Sequence, residues 1–577
     1  MTDDTKRMAI GDFLLRRLEE ARIEDIFGVP GDFNLELMQQ LEDSKSPNWV
    51  GNCNELNAAY AADGYARLTG LGALIVTNGV GALSAMNGIA GSYSEHVPVI
   101  CVCGSLPLKA IERDLMMHHT FADGSRNNFL RALSEITAAQ AQLTPQNAVT
   151  EIDRVITTAW QQKLPAYLEL PSDIAYLEIE VPGTPIVLAL PASDQERLES
   201  CTRAIVARLS VAEAPAILLD ADAERLGLAG EVTALAGKLG LPIAAMSTCK
   251  GVVDETSPNF VGTYSGAGSS PAARQAVEKS DCLLTFGFRR IDSTTGFFSD
   301  ALPATAIHFS NFSVDVGHEN YQAVTTRDVL HSVIETVPSP TNRGSLRPPI
   351  ARQATTDSAA VRTGKLTQVA YWESVQRFLR EGDVIVAENG TSTAGTAGLQ
   401  LPPNCTYISQ AVWGSIGYSL GSLLGTLVAA PDRRQLLFIG DGSFQLTAQE
   451  LSTILRLDLK PVIFLINNGG YTIERTILGK TARYNDVANW AYATLPKAFC
   501  PNTTARSFVV STVEALEDVL AQPHDTLVFL EVIMEPDDAP TSLIRGGHSS
   551  ADLDYGPRGP QHQQDMQISE NFTRRTQ

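Results

Sequence analysis

Residues 434–439 of this chain read Arg-Gln-Leu-Leu-Phe-Ile and run directly into Gly440-Asp441-Gly442. Further along, the apolar run Pro-Val-Ile-Phe-Leu-Ile at 461–466 leads into Asn467-Asn468. Both apolar runs are typical of buried strands, and leucine and isoleucine at helical spacing between them predict a helix. In a parallel sheet the two strands would bring their polar residues to one edge, where doubly wound folds bind ligands.

The residue types at that edge suit a hard cation. The carboxylate of Asp441 and the carboxamide of Asn468 offer oxygen ligands of the kind that Mg²⁺ takes, often together with phosphate. Gly440 and Gly442 would let the backbone approach that phosphate closely. Taken singly, each motif is more often an ordinary turn. At this spacing, each after an apolar strand, they predict a phosphate-anchoring metal site.

Length and composition exclude several classes of protein. A chain of 577 residues suggests about three domains. The net charge of −21 disfavours nucleic acid or an anionic membrane as a partner. No apolar run reaches the roughly 18 residues of a membrane span, and the first residues lack the layout of a signal peptide. The eight cysteines are scattered, which favours reduced thiols and a cytoplasmic location over a disulfide framework or a zinc site.

Strand-like and helix-like segments alternate along most of the chain, which predicts an α/β fold of three doubly wound parallel-sheet domains. The predicted organisation is a first domain at 1–185, a central domain at 190–340, a linker at 341–364, a third domain at 365–545 and a flexible tail at 546–577. The linker is rich in Pro, Ser, Thr and Arg. The tail is polar, which favours disorder, with a lid over a site as the alternative. Functional signals fall in the first and third domains, and none is evident in the central one.

Four ionisable residues stand out in the first domain. Asp32 follows Pro30-Gly31 in a predicted strand-to-helix turn, Glu55 begins an alanine-rich helix, and His118-His119 is an adjacent pair. Each has an ordinary structural explanation: a turn-forming Asp, a Glu that complements the helix dipole, and histidines in a solvated loop. Local context alone therefore does not make any of them catalytic.

Taken together, these motifs resemble the thiamine diphosphate-dependent 2-oxo acid decarboxylases of the pyruvate and indolepyruvate decarboxylase family. The similarity extends over about residues 8–540. It rests on the stretches at 27–32, 88–99, 117–120, 413–418, 440–447 and 467–474. The paired histidines and the Thr-Ile-Glu ending at 472–474 are the most specific to this family. The resemblance implies pyrimidine-binding, central and diphosphate-binding domains, with thiamine diphosphate and Mg²⁺ as cofactors.

The resemblance also assigns roles to individual residues. The catalytic residues it implies are Glu55, Asp32, His118, His119 and Glu474, with Glu55 bonded to the cofactor's aminopyrimidine ring. The metal ligands it implies are Asp441, Asn468 and the carbonyl of Gly470. The cofactor contacts it implies are Glu55, Pro30, Thr77, Thr391, Gly414, Ile416, Asp441, Gly442, Ser443, Asn468 and Tyr471.

The substrate pocket implied by the resemblance contains Phe288, Thr393, Ala394, Ile473 and Ile477. Family members restricted to pyruvate tend to carry a bulky aromatic where this chain has the small Thr393 and Ala394, so we expect an aromatic or branched 2-oxo acid such as indolepyruvate or phenylpyruvate. Ile473 is the larger choice often seen with pyruvate, which keeps pyruvate decarboxylase open as an alternative. The stretch 219–224 lacks the cysteine of substrate-activated members.

The resemblance further implies a homodimer, or a dimer of dimers, whose sites combine the first domain of one subunit with the third domain of another. Two other functions remain open. A carboligase of the acetolactate synthase type would join the substrate fragment to a second oxo acid, but the histidine pair favours aldehyde release. A non-catalytic cofactor-binding sensor or scaffold would be expected to lack Glu55 or the acid–base residues, which are all present.

Overall fold

The computed structural model describes residues 5–339 and 364–556. Except for Gly364, the predicted linker lies outside these residues, as does the tail beyond Gly556. The chain divides into two compact units. The first contains the described residues up to Ala192 together with Trp413–Gln435 and Thr447–Leu459, and the second contains the rest.

The first part of the chain forms a six-stranded sheet and a two-stranded antiparallel ribbon. Its strands are β1 (Thr5–Ala9), β2 (Asp25–Gly28), β3 (Asn48–Gly51), β4 (Gly72–Thr77), β5 (Val99–Ser105), β6 (Ala139–Gln142), β7 (Ala166–Pro171) and β8 (Glu178–Pro182). Its helices are α1 (Ile10–Glu20), α2 (Leu35–Ser44), α3 (Glu55–Thr69), α4 (Val80–Ser94), α5 (Leu108–Glu112), α6 (Asn128–Leu133) and α7 (Ala148–Gln162). The six-stranded sheet has the order β3-β2-β4-β5-β7-β6 and is parallel throughout.

The central part forms a seven-stranded sheet in the order β11-β10-β9-β12-β13-β14-β15. Its strands are β9 (Pro215–Leu219), β10 (Ile243–Ala245), β11 (Phe260–Thr263), β12 (Cys282–Phe286), β13 (Ile307–Ser310), β14 (Ser313–Val316) and β15 (Glu319–Gln322). Its helices are α8 (Gln195–Val211), α9 (Ala221–Arg225), α10 (Ala229–Leu239), α11 (Pro271–Glu278) and α12 (Thr326–Thr336). β14 and β15 join antiparallel, so this sheet departs from the wholly parallel arrangement that the sequence predicts.

The last part forms a six-stranded sheet in the order β17-β16-β18-β19-β21-β20. Its strands are β16 (Val384–Ala387), β17 (Thr406–Ile408), β18 (Gln435–Gly440), β19 (Val462–Asn467), β20 (Arg506–Val510) and β21 (Val528–Ile533). Its helices are α13 (Gln368–Phe378), α14 (Thr391–Thr396), α15 (Tyr418–Ala429), α16 (Asp441–Thr447), α17 (Leu451–Arg456), α18 (Thr472–Ile477), α19 (Leu495–Phe499), α20 (Val513–Leu520) and α21 (Thr541–Tyr555). The pairs β16–β17, β18–β19, β19–β21 and β20–β21 are parallel.

The strands at the centre of these sheets are buried on both faces. All residues of β4, β5 and β19 are buried, which matches their continuous apolar runs and the helices expected on each side of a parallel sheet. The α/β fold with parallel sheets that the sequence predicts is therefore confirmed.

The first and last sheets share one strand order. Counted from its own first strand, each reads 2-1-3-4-6-5, so the order reverses between β2 and β4 and between β16 and β18. Doubly wound sheets bind ligands at the carboxyl ends of the strands that flank such a reversal. The predicted site residues Pro30, Thr77, Thr391 and Asp441 follow or end these four strands.

The strand order of the central sheet also reverses, between β9 and β12, but side chains and backbone amides of the chain itself occupy that position. The carboxylate of Asp220 is buried at the end of β9 and accepts hydrogen bonds from the amides of Ala221 and Arg289 and from the hydroxyl of Thr248. The hydrogen bonds of the Asp220 carboxylate are therefore made within the protein, which is consistent with the lack of functional signals in the central part of the sequence.

The helix Tyr418–Ala429 belongs to the first unit and packs against α3 through small residues. A Cβ on Gly64 would lie 2.2 Å from the carbonyl oxygen of Ser422, and one on Gly425 would lie 1.9 Å from that of Ala61. No Cβ fits at such distances, so the glycines allow the two helix backbones to approach closely. This contact fixes α3, which begins at the predicted catalytic Glu55.

The predicted flexible tail is partly helical. Residues 546–556 continue the helix α21 and its C-cap, where polar composition alone predicts disorder. Leu543, Gly547 and Ala551 recur at helical spacing and are buried, so packing of this face stabilises a segment that the sequence-based prediction assigned to the tail.

Candidate active site

Asp441 and Asn468 lie at one edge of the last sheet. β18 and β19 are adjacent and parallel, with Gly440 opposite Ile466, so the residues that follow them emerge side by side. Both side chains are buried. The strand–turn–helix–strand arrangement that the sequence predicts therefore brings the carboxylate and the carboxamide to the same edge.

The carboxylate of Asp441 is fixed by backbone amides. Oδ1 accepts a hydrogen bond from the amide of Gly442 at 2.8 Å, and Oδ2 accepts from those of Gly469 and Gly470 at 2.7 and 3.1 Å. Burial raises the pKa of Asp441 to about 6, although these three bonds act in the opposite direction. A carboxylate has about four acceptor positions, so capacity for a further ligand remains.

Asn468 presents an acceptor that the protein does not use. Its Nδ2 donates to the hydroxyl of Thr472 at 2.8 Å, which leaves Oδ1 buried and without a hydrogen-bond partner among the described residues. A buried acceptor of this kind costs about 1–3 kcal/mol. Together with Asp441 it forms a set of oxygen donors that fits a hard divalent cation such as Mg²⁺.

Glycines shape the backbone around these two side chains. A Cβ on Gly442 would lie 2.4 Å from the ring of Tyr471, and one on Gly470 would lie 2.0 Å from the carbonyl oxygen of Asn485. Gly470 also has φ +136°, which residues with a Cβ rarely adopt. Ser443, a predicted cofactor contact, is buried in the first turn after Asp441.

The first unit brings three of the predicted acid–base residues together. Nε2 of His118 lies 2.6 Å from Oδ2 of Asp32, and Nδ1 of His119 lies 3.6 Å from Oδ1 of the same carboxylate. Asp32 and His118 are about half exposed, whereas His119 is less so. This acid–base cluster, Asp32 with His118 and His119, can hold a proton on an imidazole and exchange it with a bound molecule.

Phe33 supports the histidine rings, and the sequence reasoning missed it. Its buried ring stacks on His118 with centroids 5.0 Å apart and meets His119 edge-on at 5.9 Å. The only feature of the sequence that points to Phe33 is its position next to the candidate catalytic Asp32. That position does not show whether the ring packs against the histidines or only fills the core. Glu474 is exposed on α18 in the second unit.

Glu55, Thr77 and the Pro30-Gly31 turn converge in the first unit. A Cβ on Gly81 would lie 3.2 Å from Oε1 of Glu55 and 3.3 Å from Cγ2 of Thr77, and one on Gly31 would lie 2.6 Å from Cβ of Thr77. The hydroxyl of Thr77 is buried without a hydrogen-bond partner within the described part of the chain. Three predicted cofactor contacts therefore lie around one recess lined by glycines.

The segment of Gly414 and Ile416 also belongs to the first unit. Ser415, between them, lies with its hydroxyl 2.6 Å from that of Tyr60 on α3 and accepts a hydrogen bond from Nδ2 of Asn87 at 3.1 Å. Gly414 has φ +68°. The segment is thus tied to the helix that Glu55 begins, five residues before Tyr60.

The predicted pocket residues lie on several elements of the second unit. Thr391, Thr393 and Ala394 lie on α14, Ile473 and Ile477 on α18, and Phe288 follows β12. α21 packs against both helices: the hydroxyl of Ser542 donates to the carbonyl of Ala394 at 3.3 Å, and a Cβ on Gly547 would lie 2.0 Å from Oγ1 of Thr476. The sequence reasoning missed this helix because it assigned residues 546–577 to the tail.

Comparisons with known proteins identify the family of the chain. Residues 8–126 match the N-terminal thiamine pyrophosphate binding domain of thiamine pyrophosphate enzymes, residues 202–335 match the central domain, and residues 389–532 match the C-terminal thiamine pyrophosphate binding domain. A protein of Mycolicibacterium paratuberculosis named alpha-keto-acid decarboxylase is 40% identical over 541 residues, covering 93% of this chain and 95% of that protein. The chain belongs to the thiamine diphosphate-dependent 2-oxo acid decarboxylases.

Two further relatives carry the same name. The alpha-keto-acid decarboxylase of Mycobacterium bovis is 40% identical over 531 residues, covering 91% of this chain and 94% of the relative. That of Mycobacterium ulcerans is 40% identical over 540 residues, covering 92% and 94%. The resemblance stated from the motifs, and with it the assignment of the chain as a thiamine diphosphate-dependent decarboxylase, is confirmed.

Two structural facts bear on the environment of the enzyme. All eight cysteines lie within the described residues and are free thiols. Across residues 5–339 and 364–556, no helix is both long enough and apolar enough to traverse a lipid bilayer.

Proposed function

We propose that this decarboxylase acts on 2-oxo acids with aromatic or branched side chains and uses Mg²⁺ together with thiamine diphosphate. The bond between the carbonyl carbon and the carboxylate breaks, CO₂ leaves, and a proton takes its place, so that the products are an aldehyde and CO₂. The bound cofactor supplies the electron sink for this cleavage. The protein must orient the substrate, hold the cofactor and deliver the proton.

In this proposal Asp441, Asn468 and the carbonyl of Gly470 hold Mg²⁺. The proposal is supported by the buried Oδ1 of Asn468, which has no partner among the described residues, and by the three amides that fix the Asp441 carboxylate. A cation there would neutralise charge on the diphosphate. Removing Mg²⁺ with EDTA should release the cofactor, which its absorbance after gel filtration would reveal. Retention of the cofactor by a metal-free Asp441→Asn variant would contradict the assignment.

The acid–base cluster of Asp32, His118 and His119 delivers the proton in this proposal, with Glu474 as a further contributor, and Glu55 bonds the pyrimidine ring. The 2.6 Å contact between His118 and Asp32 supports the assignment, because the carboxylate orients the imidazole. The Asp32→Asn variant should keep its cofactor but release aldehyde at least about tenfold more slowly.

The substrate preference rests on one observation. Thr393 and Ala394 are small residues on α14, where the family resemblance implies that members restricted to pyruvate tend to carry a bulky aromatic, and α21 packs on the same helix. The test is the rate of CO₂ release over a panel of 2-oxo acids. We expect kcat/KM for phenylpyruvate or indolepyruvate to exceed that for pyruvate. A clear preference for pyruvate would overturn the proposal.

A matched pair of variants tests whether pocket volume is the cause. Ala394→Phe should lower kcat/KM for phenylpyruvate by at least about tenfold relative to pyruvate, since even one methylene in an apolar pocket discriminates by about 1–3 kcal/mol. Ala394→Ser changes the volume little and serves as the control. An equal loss for both substrates in Ala394→Phe would show that this position does not set the preference.

Pyruvate is the second candidate substrate, and Ile473 is the observation that favours it. Ile473 immediately precedes Glu474 on α18 and is partly buried, and its bulk would shorten the pocket. An Ile473→Ala variant that gains activity on phenylpyruvate while the unmodified protein prefers pyruvate would support this alternative. The product, free aldehyde or a ligated hydroxyketone, separates decarboxylation from carboligation in the same assay.

We also propose that the active protein is a homodimer or a dimer of dimers. Glu55 and the acid–base cluster of one chain would work with the Asp441 region of the other, so a single chain would be inactive. Mixing inactive Glu55→Gln and Asp441→Ala variants should restore part of the activity through hybrid dimers. Failure to restore activity, after subunit exchange has been shown with labelled chains, would contradict this arrangement.

A cytoplasmic location completes the proposal. It is supported by the eight free thiols, six of which are buried, since reducing compartments preserve such cysteines. Cell fractionation with antibody detection would test the location.

A further inference from the structure

Asn78 links the loop of the catalytic histidines to the end of a central strand. It follows β4 directly and is almost fully buried. Its Nδ2 donates a hydrogen bond to the backbone carbonyl of His119 at 2.9 Å, across 41 residues of sequence. The side chain therefore ties a loop residue to the rigid edge of the sheet, one position after the predicted cofactor contact Thr77.

The backbone of His119 adopts a conformation that needs support. Its φ is +57°, in the left-handed region that residues with a Cβ rarely occupy. Strained conformations of this kind persist only where surrounding contacts hold them, and they are concentrated at functional sites. The bond from Asn78 is one such contact, since it fixes the direction of the peptide that follows the imidazole-bearing carbon.

Gly79 completes the support on the other side. A Cβ on Gly79 would lie 2.2 Å from the carbonyl oxygen of His119 and 3.0 Å from Cζ of Phe129. The backbone of Gly79 has φ +61°, and together with the amide of Asn78 it forms a recess that receives this carbonyl. The recess leaves the carbonyl little freedom to move, and so restricts where the imidazole can lie.

The peptide that Asn78 and Gly79 restrict belongs to a loop that bears two imidazoles of the acid–base cluster. From this backbone the imidazole of His119 reaches to 3.6 Å from Asp32, and the neighbouring His118 reaches to 2.6 Å. A peptide rotation at His119 would move both rings relative to the carboxylate. Displacement of a catalytic group by about 1 Å can cost about 100-fold in rate.

We infer that Asn78 is a positioning residue for decarboxylation: its amide holds the His119 peptide so that both imidazoles face Asp32. The inference rests on the acid–base role proposed above for this cluster. Asn78 itself touches none of the reacting atoms. Its loss should therefore lower kcat, with little change in KM or in cofactor binding.

Two substitutions at this position separate positioning from packing. Asn78→Ala removes the donor, and Asn78→Ser removes a similar volume but keeps a hydroxyl donor that can reach the carbonyl through a bridging water. We expect kcat to fall at least about tenfold in Asn78→Ala, with KM within about threefold, and Asn78→Ser to recover at least about fivefold of the loss. Asn127→Ala, at an exposed asparagine with no capping bond, is the matched control and should match the unmodified enzyme.

The outcomes are separable. Equal kcat in Asn78→Ala and Asn78→Ser would overturn the inference, because the donor would then be irrelevant. A loss confined to thermal stability or to cofactor retention would also overturn it in favour of a purely structural role. The Asp32→Asn variant tests the proposed function independently, and if it retains full activity the acid–base assignment itself is wrong. If it loses activity, adding Asn78→Ala should cost much less than it does in the unmodified enzyme.

Discussion

Glu169 is a buried carboxyl group whose ionisation should make the stability of the protein depend on pH. It lies on β7 with 3% of its surface exposed. Oε2 accepts a hydrogen bond from Nε2 of Gln142 at 3.0 Å, and Oε1 accepts from the hydroxyl of Tyr167 at 3.2 Å. Burial raises the pKa of Glu169 from its ordinary value of 4.5 to about 7, since loss of solvation outweighs these two bonds.

The sign of the effect follows from proton binding in the two states. Between pH 4.5 and about 7 the unfolded chain has lost the Glu169 proton while the folded chain retains it. The unfolded state then binds fewer protons, so the free energy of unfolding falls as pH rises and levels off above the folded pKa. Each pH unit is worth about 1.4 kcal/mol, so the complete loss is about 3 kcal/mol.

The Glu169→Gln variant should remove this dependence, because the amide has nearly the same shape and does not ionise. We expect its free energy of unfolding, relative to the unmodified protein, to rise by about 2–3 kcal/mol between pH 5 and pH 8. Urea titrations at several pH values would measure the difference. Glu180→Gln removes the same charge from an exposed position on β8 and serves as the control.

The comparison between variants cancels the contributions of all other titrating groups. A difference between Glu169→Gln and the unmodified protein that stays constant from pH 5 to pH 8 would refute the reasoning. It would mean that the carboxyl group is solvated in the folded state, or that it ionises at its ordinary pKa.

Two further predictions concern ring support and a buried ion pair. Phe33→Leu should lower kcat several-fold without loss of cofactor, because a flexible side chain replaces the stacked ring that orients His118. Steady-state kinetics would measure kcat, and gel filtration would show whether the cofactor is retained. An unchanged kcat would contradict this prediction. Lys250→Met should lower the unfolding free energy by about 3–5 kcal/mol, because it leaves the buried Glu255 carboxylate, 3.0 Å from the Lys250 amine, without its counter-charge. The double variant Lys250→Met with Glu255→Leu should recover much of that loss in urea unfolding, and no recovery would contradict the explanation.

The sequence predicted the positions of the strands that lead to the candidate site, because the pattern of apolar residues indicates them. The strands before Asp441 and Asn468 were expected from apolar runs at 434–439 and 461–466, and the structure has β18 and β19 there, shifted by one residue. Continuous apolar runs are reliable signals because strands buried on both faces of a parallel sheet admit few polar residues. The edge at which both side chains emerge followed from that topology.

Features that depend on contacts between distant segments could not be predicted in this way. Nothing in the sequence around Asn78 indicates that its amide meets the carbonyl of His119. The helix α21 was missed for a similar reason, since its stability comes from contacts of Gly547 and Ser542 with other helices and not from its polar composition. The antiparallel edge of the central sheet likewise depends on short hairpins that carry little periodic signal.

Several buried polar atoms near the candidate active site have no hydrogen-bond partner in the part of the chain that the structure describes. Native proteins leave few buried polar atoms without partners, because each costs about 1–3 kcal/mol. Within the described residues, three such atoms belong to segments assigned to cofactor or metal contacts: Oγ1 of Thr77, Oγ of Ser392 next to Thr391, and Oδ1 of Asn468. Thr77 ends β4, Ser392 follows β16 and Asn468 follows β19, at or beside the strand reversals of two sheets with the same order. These three atoms therefore lie close to the strand ends at which doubly wound sheets bind ligands. Within the segments that the family resemblance assigns, these unpartnered atoms are the candidates to bind the cofactor or the metal.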